Sequence, residues 1–213
     1  MTFYSQIAQD QWVNSILNKK TGGFFVELGA CDGLYYSNSL FFERNMGWNG
    51  ICIEPNDTYF SKLRTNRKCF VANDLVFSHA GQEVDFSLCD ANSGILNGEE
   101  GPFTQKSTVV KKTTATLESV LDKFHAPPII DYLSLDVEGA EYAILSTFPF
   151  EKYKFRTLTV EHNAPHVGTG QQTKIREILE RNGYEYVKGN DDVMGWRHGP
   201  IDDFYIHRHA LMG

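Results

Sequence analysis

No stretch of the chain approaches the ~18 consecutive apolar residues of a membrane-spanning helix. The opening residues, MTFYSQIAQD, lack the basic and apolar regions of a secretory leader. Cysteine is sparse: Cys31, Cys52, Cys69 and Cys89 stand far apart, with no CxxC and no Cys/His finger spacing. That excludes a disulfide scaffold and a zinc finger, and leaves four thiols acting as small hydrophobes. Positive charge is in deficit, with 20 Lys and Arg against 27 Asp and Glu and a net charge of −7. A protein held to nucleic acid by phosphate neutralisation would show the opposite balance. Internal repeats, low-complexity tracts and linkers are also missing. The expectation is a soluble, cytoplasmic protein with no membrane span and no nucleic-acid partner.

What is present suits one folded domain over residues 1–213. Apolar residues make up 41% and charged residues 22%, an ordinary globular balance. A chain this long buries roughly 70% of its unfolded surface, so it needs no staple. Residues Ser5 to Lys20 carry apolar pairs at the helical period, stopped by Thr21-Gly22-Gly23, and define an N-terminal helical element over 1–22. FFVEL (Phe24–Leu28) reads as a buried strand, followed by a helix from Asn38 to Gly47. Gly50–Glu54 is a second strand, Asn56 caps a helix carrying Phe60 and Leu63, and Lys68–Ala72 is a third strand. This alternation predicts a parallel sheet with helices on both faces.

Glu83–Leu88 alternates as a strand, whereas Asp90 to Lys112 shows little periodicity. A long unpatterned loop in a small domain points to a substrate lid over 90–112. Thr116 caps a helix bearing Leu117, Val120 and Leu121. IIDYLSLD is a fourth strand ending at Asp136, followed by a helix near Ala140–Thr147. Thr157–Glu161 is a fifth strand, Gln172–Asn182 a helix, and Tyr184–Lys188 and Asp203–His207 the last strands.

The sharpest local signal is Glu27-Leu-Gly29-Ala30-Cys31-Asp32-Gly33 at a strand-to-helix turn. Glycine there lets the backbone approach a ligand and adopt positive φ. Glu54 ends the next strand 21 residues beyond Gly33, where an acid grips a nucleotide ribose. A dinucleotide site wants Gly-x-Gly-x-x-Gly, but Cys31 and Leu34 occupy the second and third glycine positions. Glu27 and Asp32 add negative charge, which repels phosphates and suits a cation. A ligand with a ribose, an ammonium and a sulfonium, and no phosphate, fits: S-adenosylmethionine.

The strings FFVELGACDGLYYSNSLFFER…GWNGICIEPN, IDYLSLDVEGAEYAIL and LTVEHN, in that order, resemble FkbM-type S-adenosylmethionine-dependent O-methyltransferases. Ser5-Gln6…Gln9-Asp10 and Asp202-Asp203-Phe-Tyr205-Ile-His207 match elements that open and close members of that family. The resemblance implies a class I methyltransferase, Rossmann-like, with a seven-stranded, mostly parallel sheet and one antiparallel strand. It implies that Glu27, Gly29, Ala30, Asp32 and Gly33 line the methionine half of the cofactor and that Glu54 takes the ribose. Asn73 or Asp74 would stand near adenine. Asn38 would either bind the cofactor's amino-acid end or cap a helix. It also implies a sugar, glycan or glycosylated natural product as acceptor, and a homodimer.

Methyl transfer needs an aligned acceptor oxygen and a sink for its proton. Asp136, Glu161 and His162 lie at neighbouring strand tips and are the expected catalytic residues; Asp136 also borders the cofactor. Two arrangements remain open: His162 as base, oriented by a carboxylate, or Asp136 with Glu161 and His162 holding a divalent metal. Glu138 reads as the start of the next helix, where the dipole favours an acid. His162 and His166 have H-x₃-H spacing, but Pro165 between them argues against a zinc helix. Trp48 is expected in the core, Trp196 at the substrate mouth or in packing, and His207 and His209 as satisfied or surface residues. Two other functions compete: a nucleotide-dependent oxidoreductase, against which Cys31 counts, and a non-catalytic S-adenosylmethionine-binding module.

Overall fold

A computed structural model describes residues 2–96, 108–189 and 201–208. In chain order the elements are α1 (Gln9–Ile16), β1 (Phe24–Leu28), α2 (Leu40–Met46), β2 (Asn49–Ile53), α3 (Asp57–Asn66), β3 (Phe70–Ala72), β4 (Leu75–Val76) and β5 (Glu83–Leu88). A single 3₁₀ turn at Asp90–Asn92 leads into β6 (Gly94–Ile95), β7 (Thr108–Ala115), α4 (Leu117–Lys123), β8 (Ile129–Leu135) and α5 (Glu141–Ser146). The chain continues through β9 (Lys154–Glu161), α6 (Ala164–Val167), α7 (Gly170–Arg181), β10 (Tyr184–Gly189) and β11 (Asp202–His207).

Seven strands form one sheet in the order β10-β11-β9-β8-β1-β2-β3. All neighbours from β9 to β3 pair in parallel, and β11 runs antiparallel to both β9 and β10. The order reverses at β1, because β2 and β3 lie on one side and β8 and β9 on the other. Ligands of open α/β sheets bind outside the strand carboxyl ends at such a reversal.

The period of two in each strand divides the core. Val26 and Leu28 of β1 face one cluster, with Ile51, Leu133, Leu158, and Leu121, Ile144 and Leu179 from α4, α5 and α7. Phe25 faces the other, with Val13, Phe41, Phe42, Trp48, Leu63 and Tyr132. Trp48 is core as expected, its indole N–H donating to the Lys20 carbonyl at 2.9 Å.

Three local expectations change. The first helix begins at Gln9, because the Asp10 carboxylate accepts from the Tyr4 and Ser5 N–H groups and folds 4–8 into a turn. The 90–112 segment is not structureless at its described ends. Residues 108–112 begin β7, which pairs with β5 from Glu83↔Thr113 to Leu88↔Thr108. With β4 and β6 they form a second, four-stranded sheet that the sequence reading missed. Residues 97–107 of the expected lid, Trp196 and His209 lie outside the described residues.

Candidate functional site

The β1 tip turns so sharply because Gly29 and Gly33 take φ +76° and +80°. A Cβ on Gly29 would stand 1.8 Å from the Asp136 carbonyl oxygen, so only glycine lets the β1 and β8 tips meet. Cys31, where a glycine would serve in a dinucleotide loop, takes φ +50°. Burial pushes its thiol up to about 12, leaving it protonated at neutral pH.

Glu27 is buried and fully engaged. Its carboxylate accepts from the Ser37 hydroxyl, the Asn38 N–H at 2.6 Å and the Ser39 hydroxyl, and it pairs with the buried Arg67 guanidinium at 3.3 Å. Arg67 also pairs with Glu43 at 3.1 Å and donates to the Gly33 carbonyl at 3.3 Å. Glu27 therefore shapes the 33–40 loop. Asp32 holds an adjacent turn, accepting from the N–H groups of Leu34 and Tyr35.

A cleft crosses the strand tips in two continuous parts. The narrower part is walled by Gly29, Glu54, Asp74, Val76, Asp136 and Glu138, with Ala91, Ser93 and Ile95 covering it. Asn56 ties this cover down through Ser93 at 3.1 Å. Glu54 accepts from the N–H groups of Cys31 and Asn56 at 2.9 and 2.8 Å, and burial pushes its carboxyl up to about 7.

The wider part is a cavity of about 310 Å³. Gln6, Gln9, Tyr35, Tyr36, Asn38 and Asn163 contribute to its wall, beside Asp136, Glu138 and Glu161. The two parts share Gly29, Ala91, Asp136 and Glu138. Asn38 does not cap α2, whose N-cap is Ser39. Its amide donates to the Ser134 hydroxyl at 2.8 Å, while its Oδ1 is buried without a partner.

At the junction, Asp136, Glu138 and Glu161 bring carboxylate oxygens within 4.8 Å of one another. Burial raises all three: Asp136 to about 6, with repulsion from Glu141 adding to it and a hydrogen bond with Glu161 opposing it; Glu138 to about 8, with repulsion from Asp136 and Glu141; and Glu161 well above its ordinary value, with repulsion from Asp136 and Glu138. Asp202, opposite Glu161 in the sheet, rises to about 7 through burial and Asp136. Glu138 is not the start of α5. It sits before that helix at φ +58° and delivers its carboxylate to the cluster. Glu141 takes the helix-start role, accepting from the N–H groups of Val137 and Gly139.

Of the residues expected from sequence, the structure brings Glu27, Gly29, Ala30, Asn38, Glu54, Asp74, Asp136 and Glu161 to the cleft wall. Asp32, Gly33, Asn73 and His162 are not on it. Asn73 turns its amide to the Glu54 carbonyl. His162 is buried behind β9: Nδ1 accepts from the Ala164 N–H at 3.0 Å, and Nε2 lies 3.1 Å from Gln172 and 3.4 Å from Asp203. Both ring nitrogens are thus taken by protein partners. Arg176, bidentate to Asp203 at 2.7 and 2.8 Å, overcomes burial and holds that carboxyl down at about 2.

Gln6, Gln9, Tyr35, Tyr36, Glu138 and Asn163 were not singled out as cleft residues from sequence. A signal existed for Gln9, in the Ser-Gln…Gln-Asp string. Its amide donates to Asp202 at 3.0 Å, joining the opening and closing strings of the chain.

A seven-stranded sheet with its penultimate strand reversed, a glycine turn after β1 and an acid after β2 define a class I S-adenosylmethionine-dependent methyltransferase. The chain belongs to the FkbM methyltransferase domain family, which it matches over residues 27–186. A search of the curated proteins finds no significant match. Among solved structures, it is similar to a precorrin-6y C5,15-methyltransferase from Geobacter metallireducens, at 15% identity and a TM-score of 0.51, over 93% of this chain and 87% of that one. Aeropyrum pernix fibrillarin, solved with natively bound S-adenosylmethionine, matches at 12% identity and TM-score 0.51, over 93% and 73%. A putative rRNA methylase from Clostridium thermocellum matches at 10% and 0.52, over 97% of both chains. At these identities the likeness is one of fold.

Proposed function

We propose that this protein transfers the methyl group of S-adenosylmethionine to a hydroxyl of a sugar, glycan or glycosylated natural product. The observation that carries this reading is the wall of the wider cavity. Amides, tyrosines and carboxylates dominate it, and no Lys or Arg lines it among the described residues. Amides and carboxylates pair with hydroxyls, and the exposed rings of Tyr35 and Tyr36 offer faces for a sugar to stack on. A phosphate-rich acceptor such as RNA would find no Lys or Arg side chain there, among the described residues, to pair with its phosphates.

In this reading the adenosine half fills the narrower part of the cleft. The ribose hydroxyls donate to Glu54, and Asp74 stands beside adenine. The methionine half passes over Gly29 and Ala30, and its ammonium donates to the unpartnered Asn38 Oδ1. The sulfonium methyl then faces the junction of the two parts. The acceptor oxygen attacks the methyl carbon in line, the C–S bond breaks, and S-adenosylhomocysteine leaves. Asp136, with Glu161 behind it, receives the hydroxyl proton. His162 acts one layer back, fixing the 162–164 turn that carries Asn163 into the wall.

The test is methyl transfer from methyl-tritiated S-adenosylmethionine to a panel of monosaccharides, oligosaccharides, amines and RNA. Base-stable label on a saccharide, reduced about 100-fold or more by Asp136→Asn, is expected. Label only on RNA or on an amine overturns the reading.

A further inference from the structure

We propose that Asp136, Glu138 and Glu161 form a binding site for a divalent cation of the magnesium or manganese type, placed between cofactor and acceptor. Its catalytic role rests on the methyl-transfer reading above; the site itself rests on geometry. The three side chains bring ligand oxygens within 4.8 Å of one another. Oxygens bound to one small ion at about 2.0–2.2 Å stand no more than about 4.4 Å apart, so the three side chains need to close by only a few tenths of an ångström around it. The donors are all carboxylate oxygens, the set that suits a hard cation rather than zinc or copper.

A second observation is independent of that clustering. Glu161 is 7% exposed, and its Oε2 is buried with no hydrogen-bond partner. A buried carboxylate oxygen left unmet costs on the order of 1–3 kcal/mol, so a ligand belongs there. The cofactor's sulfonium carries one charge and no hydrogen, so it cannot satisfy that oxygen. Among the described residues, no Lys or Arg forms an ion pair with any of the three acids. A divalent ion supplies both the charge and the coordination.

The neighbours fit this role. Glu141 holds the 137–139 loop by accepting from the N–H groups of Val137 and Gly139, and Gln171 donates to Glu141 at 3.2 Å, fixing the backbone that presents Glu138. Gln9 donates to Asp202, which faces Glu161 across the sheet, and so keeps this further acid engaged elsewhere. Asp136 and Glu138 border both parts of the cleft, so an ion held there meets the acceptor oxygen beside the methyl group. Coordination lowers the proton affinity of the acceptor hydroxyl. The proton passes to an uncoordinated oxygen of one of these carboxylates, and the oxygen's lone pair forms the new C–O bond as C–S breaks.

The experiment measures metal binding apart from turnover. Full-length protein is stripped with EDTA, dialysed and titrated with MnCl₂, with free Mn²⁺ followed by electron paramagnetic resonance. S-adenosylhomocysteine binding is measured in parallel by calorimetry. One Mn²⁺ per chain is expected, weakened about tenfold or more by Glu161→Gln and by Glu138→Gln, with S-adenosylhomocysteine affinity kept. Glu138 lies on a half-buried loop, so its amide variant decides the matter if Glu161→Gln fails to fold. No saturable Mn²⁺ site, or a site untouched by Glu138→Gln, overturns the proposal even where S-adenosylhomocysteine binds. Mn²⁺ binding without S-adenosylhomocysteine binding sustains the metal site and removes the methyl-transfer reading instead.

Discussion

Replacing Arg67 by methionine tests whether Glu27 is a structural anchor of the cofactor loop. The Arg67 side chain is fully buried and makes five contacts with Glu27, Glu43, Gly33, Ser37 and Ser39. Methionine keeps the length and the packing over Phe25 but strands the Glu27 charge, which is 3% exposed. Removing one partner of a buried pair costs about 3–5 kcal/mol. For a chain of this size that lowers Tm by roughly 6–20 °C. Glu27→Gln in the same chain should restore roughly 1–3 kcal/mol, because the Ser37 and Ser39 hydroxyls can turn to accept from the new amide. Thermal and urea denaturation of both singles and the double variant provide the assay. If Arg67→Met costs less than about 1 kcal/mol, or the two changes simply add, the anchoring argument is wrong.

Gly29→Ala forces an L residue to φ +76° and pushes a methyl into the Asp136 carbonyl. The backbone conformation alone costs about 1–2 kcal/mol, and calorimetry should show S-adenosylhomocysteine bound about tenfold more weakly or not at all. Glu54 carries a pH signature. Its folded-state value rises from 4.5 to about 7 through burial, so its contribution to stability is full below pH 4.5 and is lost as pH climbs through 7. At about 1.4 kcal/mol per tenfold change in proton affinity, this loss is on the order of 3 kcal/mol. The ribose hydroxyls bind the charged form, so S-adenosylhomocysteine affinity should rise with pH through the same window and flatten above it; an affinity independent of pH between 5.5 and 8.5 contradicts the assignment. Tyr35→Ala with Tyr36→Ala should raise the acceptor KM about tenfold and leave S-adenosylhomocysteine binding unchanged by calorimetry.

The strands β1, β2, β8 and β9 were legible because each carries a short apolar run that ends at, or just before, a glycine or an acid. Asp136 and Glu161 could be placed at neighbouring tips for that reason alone. Glu138 was not legible: its role depends on a left-handed backbone at a non-glycine residue, which only tertiary contacts impose. His162 follows Glu161 directly and reads as its partner, yet successive strand-end residues face opposite sides, and the ring turns to Gln172 and Asp203. Glu27 and Asp32 carry the charge that suggested a cation. The serine hydroxyls, Arg67 and three loop N–H groups that consume it come from residues not read as partners. The second sheet escaped because β4 and β6 are two residues each, too short for any period to show.

The most direct test of the account is a crystal structure with S-adenosylhomocysteine. The ribose hydroxyls are expected on Glu54, the amino group on Asn38 Oδ1, and the sulfur turned toward Asp136, Glu138 and Glu161. A cofactor bound with its sulfur away from those three carboxylates, or no binding in this cleft, would contradict it.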